Sequence, residues 1–354
     1  MTSNRFMQLE DTLHLLKFEP PSLSLSLLSA SSSSSKFAAG RKIRRRVHAA
    51  GVTSYLTSFV SSPLSWLPSD EARETIWDLA GKRLSERAGR AAAGDLVRKF
   101  RIPLSAKGND AVNEVELILH EPSLTEDNLG LKTWASSLVL ASQLRYLTDN
   151  IPPIRDRRGH RPKVLELGSG TGLLGLAAAI VWPHAAVKLT DLEVIVKNLR
   201  RNVGVNKHTL GQSRGVSEDA LGVQVEVLDW SLSPSSSHHQ PVKSVKYDTF
   251  DVVIAADPLY SPLHPQWLVN TISENLSLDE DARALIAYPL RKGYEQERYC
   301  FEKIMVESGL TCRHTETIHG VKEDWGDGED DGEESSSGES VKYGVWAWAH
   351  KSRQ

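Results

Sequence analysis

Four short stretches carry the residues able to do chemistry. In Lys163-Val164-Leu165-Glu166-Leu167-Gly168-Ser169-Gly170-Thr171-Gly172-Leu173-Leu174-Gly175, an apolar run rises to an acid, breaks into alternating glycines, and continues Ala/Leu-rich through Ile180. The pattern reads as strand, tight turn and helix. Glycines let the backbone touch a ligand, and the free N–H groups of the following helix point at the same place, so this is a nucleotide-cofactor turn. Asp191 closes a second strand about one βαβ step later, where a carboxylate can take both hydroxyls of a ribose. Asp229-Trp230 ends a third: the ring is a stacking surface for adenine, and the carboxylate or a nearby N–H can hold the exocyclic amine. Asp257-Pro258-Leu259-Tyr260 ends a fourth.

A Gly-x-Gly-x-Gly turn also serves dinucleotide enzymes. Here Glu166 stands two residues before the first glycine, where a dinucleotide fold more often has an apolar residue or another glycine. The elements around these stretches follow from the hydrophobic pattern. Residues 250–256 are nearly all apolar, as a strand covered on both faces should be. A helix over 265–276, a strand over 284–288 and a helix over 294–307 follow, and the final strands, 310–318 and 343–350, lack room for a crossover helix. They must be antiparallel neighbours, which gives an α/β fold with a seven-stranded sheet, one strand reversed and helices on both faces. Trp134 opens a helix whose apolar face carries Leu138, Val139, Ala141, Leu144 and Leu147. Arriving just before the first core strand, its ring either packs in the core or walls the cofactor. The helix over 192–203 shows Asn198, Arg200, Arg201 and Asn202, read as a solvated face, and 207–221 reads as a polar loop.

Three regions are expected. Residues 1–60 form a disordered Ser/Arg-rich arm, 61–130 an extension with a helix over 69–90 and a β-hairpin over 96–102 and 115–119, and 131–354 the cofactor domain with an acidic loop at 322–340. An acid-poor, Ser- and Arg-rich start also suits a transit signal, against which Glu10, Asp11 and Glu19 stand. A 40% hydrophobic and 25% charged composition is ordinary for a soluble protein, and a net charge of -3 over 354 residues gives no global attraction to nucleic acid. No apolar run reaches the ~18 residues that span a bilayer. The two cysteines, Cys300 and Cys312, have no metal spacing and read as buried thiols in a reducing compartment. A cytoplasmic monomer is expected, with no metal, no membrane and no nucleic-acid partner.

Taken together, Thr133-Trp134, the Glu166 to Gly172 turn, Asp191, Asp229-Trp230 and above all Ala256-Asp257-Pro258-Leu259-Tyr260 resemble a known family. It is the seven-β-strand (class I) S-adenosylmethionine-dependent protein-lysine methyltransferases, marked by D-x-x-Y/F after the fourth strand. The resemblance implies their Rossmann-like sheet. It implies that Trp134, Gly168, Ser169, Gly170, Asp191, Trp230 and Ala256 contact S-adenosylmethionine, with Glu166 and Asp229 in the same cradle, and that Asp257 and Tyr260 face the incoming lysine. Within that group, Leu131-Lys132-Thr133-Trp134-Ala135-Ser136-Ser137 and the long front extension most resemble the fungal lysine methyltransferases of translation elongation factor 2, which implies that factor as the protein substrate.

The chemistry suits those roles. A lysine amine with a pKa near 10.4 is unprotonated in only roughly one molecule in two to three thousand at pH 7, and the ammonium has no lone pair to attack a methyl group. Asp257 can orient the amine and accept or relay its proton, while Tyr260 offers a ring face to the cation and a rim to the aliphatic stem. A rival is the Asn/Asp-Pro-Pro-Tyr/Phe turn of methyltransferases acting on adenine or glutamine amino groups; here Leu259 stands where the second proline belongs. A non-catalytic module that only binds S-adenosylmethionine is a further alternative.

Overall fold

The computed structural model describes residues 2–17, 22–25, 51–87, 94–104, 114–123, 129–156, 161–232, 249–321 and 338–349. Within them α1 (Thr2–Leu15) precedes a short strand β1 (Leu23–Ser24), and α2 (Val52–Val60) leads to α3 (Asp70–Ser85). In the described parts of residues 1–60 the chain is thus mainly helical, and Leu13, Leu56, Leu64 and Ile76 bury one another in a small aliphatic cluster of their own. Most of the serine tract and all of the basic cluster lie outside the described residues, as does nearly all of the acidic loop. Ser69 caps α3 by accepting the Ala72 amide, and Asp70 and Glu71 in the first turn with Lys82 and Arg83 in the last suit the helix dipole.

The expected hairpin is β2 (Leu96–Pro103) with β3 (Glu114–Glu121), antiparallel from Leu96↔Glu121 to Pro103↔Glu114, and β1 adds to it in parallel to make three strands. Its inward residues Phe100, Ile102, Leu117 and Leu119 are fully buried and belong to the main core. Arg98 is buried too, paired with the equally buried Glu121 at 3.2 Å. The chain continues through α4 (Ala135–Leu147), α5 (Pro152–Arg155), β4 (Lys163–Leu167), α6 (Leu173–Val181), β5 (Ala186–Asp191), α7 (Glu193–Val205) and α8 (Lys207–Arg214). Thus 207–214, read as loop, is helical. Then come β6 (Val223–Val227), β7 (Val252–Ala256), α9 (His264–Asn275), β8 (Arg283–Pro289), α10 (Glu295–Glu307), β9 (Leu310–Val321) and β10 (Glu339–Trp348).

The large sheet has seven strands in the order β6-β5-β4-β7-β8-β10-β9, and only β10 runs against its neighbours. The inferred topology therefore holds, reversed strand included. Strand alternation feeds two cores: Val164, Val252, Ile254 and Leu285 face the α4 and α6 side, while Leu165, Val253, Ala255 and Ile286 face α9 and α10. The strand order reverses between β4 and β7, so their carboxyl ends open the crevice where such sheets bind ligands. Among the described residues no helix is long and apolar enough to cross a membrane.

Of the solvated face expected on α7, Arg200 and Arg201 are exposed, but Asn198 and Asn202 are buried and, with Asn206 just past the helix end, form a ladder. Asn206 Oδ1 accepts the Ile118 amide and Nδ2 donates to the Ile118 carbonyl; Asn202 does the same for His120 at 2.8 and 3.0 Å and also donates to the Thr171 carbonyl. Asn198 adds a donation to the His120 carbonyl. Spaced by four, the three amides lie on one helix face and serve the free edge of β3 as a neighbouring strand would.

Candidate active site

Four adjacent strands each deliver one functional segment to the same end of the sheet. After β4 the backbone turns through Gly168 and Gly170 with φ of 69° and 55°, a region L side chains avoid. A Cβ at Gly170 would stand 2.8 Å from the Gly130 carbonyl, and one at Gly168 would stand 3.1 Å from the Trp230 ring. The Gly130 carbonyl and the Trp230 ring thus pack where side chains at these two positions would stand. Ser169 locks it: its amide donates to the Thr190 carbonyl at 2.9 Å and its hydroxyl accepts the Thr190 amide at 3.0 Å.

Asp191 ends β5 with both carboxylate oxygens against this turn, Oδ2 accepting from Gly170 N and Oδ1 from Leu192 N, each at 2.7 Å. Burial raises its pKa to about 6 against those two amides, so it is largely ionised at neutral pH. Glu166 lies deeper, 2% exposed. Its Oε2 fills the space above Gly175, where a Cβ would approach to 2.3 Å. Burial raises its pKa to about 8, the Ser169 hydroxyl and Gly175 amide opposing and Asp191 assisting. Glu166 supports the turn from inside rather than presenting a charge at the surface. Asp229 Oδ1 caps the short turn carrying Trp230 by accepting from both the amide and the hydroxyl of Ser231.

Trp134 begins α4 across from the glycines, its indole N–H donating to the Leu129 carbonyl at 3.0 Å. Lys132 Nζ and the Arg291 guanidinium lie 4.4 and 4.9 Å from its ring centre. Thr133 shares a 2.8 Å hydroxyl hydrogen bond with Thr171, and its amide donates to Glu121 Oε1. The buried Arg98–Glu121 pair of the hairpin therefore props the segment that faces the cofactor turn. Sequence reading missed Glu121 and Arg291, and named Thr133 only as part of the resemblance. The one available signal was Arg98 and Glu121 at alternating, inward positions of two half-buried strands.

On the other side of the crevice Ala256 pairs with Ala287 on β8, and Asp257 follows in the left-handed region with φ 57°, its amide donating to the Ala287 carbonyl at 2.8 Å. A non-glycine residue held there is a strain concentrated at a functional position. The buried Asp257 carboxylate is met by Arg291, Nη2 at 3.1 Å from Oδ2, and Arg291 is also gripped by Glu339 of β10. Leu259 is core, packed on the α9 and α10 side. Tyr260 is 49% exposed at the mouth, its ring edge-to-face with His264 at 4.2 Å. Partial burial raises the Tyr260 pKa first, and the nearby charges of Asp191 and Asp257 add to it. His264 in turn lies 6.0 Å from Trp230.

The predicted residues Trp134, Gly168, Ser169, Gly170, Asp191, Asp229, Trp230, Ala256, Asp257 and Tyr260 are thus gathered at the carboxyl ends of β4 to β7 and the start of α4, with Glu166 beneath them. A cavity of about 280 Å³ at the amino-terminal end, lined by Arg161, Lys163, Lys188 and Phe250 among others, is remote from that cluster. Among the described residues no group of three or more His, Cys, Asp or Glu is arranged to hold a metal. Both cysteines are free, but Cys312 is exposed on β9 and Cys300 is only part-buried, against the buried thiols expected.

The model of a family described as "Lysine methyltransferase" matches residues 111–307. The chain is 38% identical over 272 residues to a protein of Saccharomyces cerevisiae named Protein-lysine N-methyltransferase EFM2, covering 73% of this chain and 58% of that one. It is 30% identical over 275 residues to Protein-lysine N-methyltransferase rrg1 of Schizosaccharomyces pombe, covering 78% and 80%. Protein-lysine N-methyltransferase EEF2KMT of Homo sapiens is 33% identical over 162 residues, 45% of this chain and 44% of that one. The chain therefore spans less than two thirds of the length of the first and third of these relatives.

Proposed function

The chain belongs to the lysine methyltransferase family, and on that premise we propose that it is an S-adenosylmethionine-dependent protein-lysine N-methyltransferase whose substrate is translation elongation factor 2. The observation that carries this reading is the convergence of two half-sites on one crevice. One is a glycine cradle with Asp191 and Trp230; the other is the strained Asp257 with Tyr260, its ring reaching Trp230 through His264.

The residues present fit S-adenosylmethionine. Gly168 and Gly170 hold the turn in dihedrals that side chains avoid, packed against Trp230 and the Gly130 carbonyl, so that backbone rather than side chains lines it; Asp191 stands beside them to receive ribose hydroxyls, and Trp230 gives adenine a flat neighbour. Trp134 and Ala256 flank the same crevice. When bound, the sulfonium supplies an already activated methyl group. The work left to the chain is to hold an amine in line with it and to free the amine of its proton. Tyr260 offers its ring to the lysine stem and cation. Asp257, fixed in direction by Arg291, supplies the negative charge that draws a cation to the mouth. Similarity over Leu131 to Ser137 and the length of the front extension support elongation factor 2 as the target, and on this reading the enzyme acts as a cytoplasmic monomer.

Transfer of labelled methyl to purified elongation factor 2 and to RNA, with the wild type and with Asp257→Asn, tests the proposal. Asparagine tolerates the left-handed region, so the variant removes charge without adding backbone strain. Label is expected on a lysine of the factor, with transfer reduced about 100-fold or more in the variant. Label on RNA alone would overturn the lysine reading in favour of a base amino group.

A further inference from the structure

Removing the proton from the acceptor lysine requires a base, and the carboxylate named for that role, Asp257, is already paired with a cation. Asp257 has its carboxylate oxygens committed to the Arg291 guanidinium, at 3.1 Å for Oδ2 and 3.4 Å for Oδ1. A carboxylate held in this way attracts a cation, and each of its oxygens already has one acceptor site directed at the guanidinium. We infer that His264 is the residue that accepts the proton of the lysine ammonium. This rests on the lysine methylation proposed above.

The geometry defines which nitrogen would act. Nδ1 lies 3.0 Å from the Pro258 carbonyl oxygen, within the Asp257 to Tyr260 turn itself. A carbonyl only accepts, so Nδ1 carries the hydrogen and Nε2 carries the lone pair. The ring stands against Tyr260 at 4.2 Å and faces Trp230 at 6.0 Å, between the aromatic that covers the glycine turn and the aromatic at the mouth. Trp267, one turn along α9, closes the third side at 5.9 Å. The imidazole is thereby half-buried and fixed in its tautomer by the same turn that positions Asp257.

Its surroundings favour the neutral ring. Burial lowers its pKa below the usual 6.5, outweighing the Pro258 hydrogen bond, and a position at the first residue of α9 opposes positive charge as well. The charged groups of the neighbouring elements are Asp191 at the end of β5, Asp229 ahead of the Trp230 turn, Asp257 paired with Arg291, and Glu295 and Arg298 of α10, the last donating to the Arg291 carbonyl at 2.8 Å. In the step itself an N–H bond of the ammonium breaks and its electron pair stays on the lysine nitrogen, where methyl transfer requires it. The proton bonds to Nε2, and the imidazolium releases it to solvent at the open mouth.

Single-turnover transfer to the protein lysine, followed from about pH 6.5 to about 9.5 for the wild type and His264→Gln, tests the assignment. The variant is expected to be about 100-fold slower near neutral pH, with the gap closing to under about fivefold at the alkaline end as the lysine deprotonates unaided. Calorimetry should give an S-adenosylmethionine dissociation constant within about twofold of wild type. A variant as fast as wild type at every pH, or slower by one constant factor throughout, would overturn the role, the second outcome marking His264 as packing alone. An NMR titration of wild-type His264 without substrate gives an independent reading that survives any misfolding of the variant: a midpoint below about 7, which leaves the ring mainly neutral at neutral pH, supports the role, and one above about 8, which leaves it mainly protonated, removes it. A wild type that methylates no protein at any pH overturns the lysine reading and this role together, a result distinct from an active wild type beside an equally active variant.

Discussion

At the foot of the glycine turn a carboxyl group is enclosed where water does not reach it. Glu166 has a pKa raised to about 8 by burial, against an ordinary 4.5, so between these values the folded protein holds a proton that the unfolded chain has lost. Linkage then makes stability fall as pH rises through this window, by up to about 1.4 kcal/mol per pH unit. Asp191, raised to about 6, adds a loss of the same sign over its lower window and is nearly spent above it. Urea unfolding midpoints of the wild type should therefore decline from about pH 6 to about pH 8, and Glu166→Gln, which keeps the shape and is neutral throughout, should remove most of that decline. A wild-type midpoint flat across the range would show that Glu166 is already ionised in the fold. The position of this acid before the first glycine is plain in the sequence. Its inward turn is less so: strand alternation puts it on the same face as Val164, but only the fold shows that α6 bares Gly175 there.

Elements whose signal is local were legible, and those defined by a distant partner were not. β7 announces itself as Val252-Val253-Ile254-Ala255-Ala256, because a strand covered on both sides needs no polar residue. Asn198 and Asn202 of α7 gave the opposite impression, since polar side chains on a helix usually face water. Their amides belong to the edge of β3, more than seventy residues earlier in the chain, and no pattern within the helix names that partner. The spacing of four and the choice of asparagine over lysine or glutamate are the only local hints. Asn202 is the rung with most to lose, fully buried and bonded to His120 N–H, His120 C=O and Thr171 C=O. Asn202→Ala strands these groups and should cost about 2–4 kcal/mol, whereas Arg200→Ala on the exposed face of the same helix should cost under about 0.5 kcal/mol. Urea denaturation measures both, and hydrogen exchange at the His120 amide should rise in the first variant only. Equal costs would mean that water takes over from the amide and that the ladder adds little.

Across the whole molecule the seven-stranded sheet and its one reversed strand could be derived from spacing, since crossover helices and a final pair too close for one leave few topologies. The front of the chain could not, because its serine and arginine content masks two helices whose apolar residues find one another only in three dimensions. The packing divides the chain differently from its composition. The hairpin shares the core of the sheet through Phe100, Ile102, Leu117 and Leu119, while α3 belongs with α1 and α2 in a cluster that has no residue in common with the two cores of the sheet. A core that small stabilises weakly on its own, so the helices should melt first and separately. S-adenosylmethionine held by the β4 to β7 crevice should stabilise only the unit that contains it, by about 2.7 kcal/mol at a hundredfold excess over its dissociation constant. Scanning calorimetry is expected to show two transitions, the upper one moving with added S-adenosylmethionine and the lower one staying in place. If a single transition moves as a whole, α1 to α3 unfold together with the sheet, and ligand bound at the crevice also stabilises the far end of the chain.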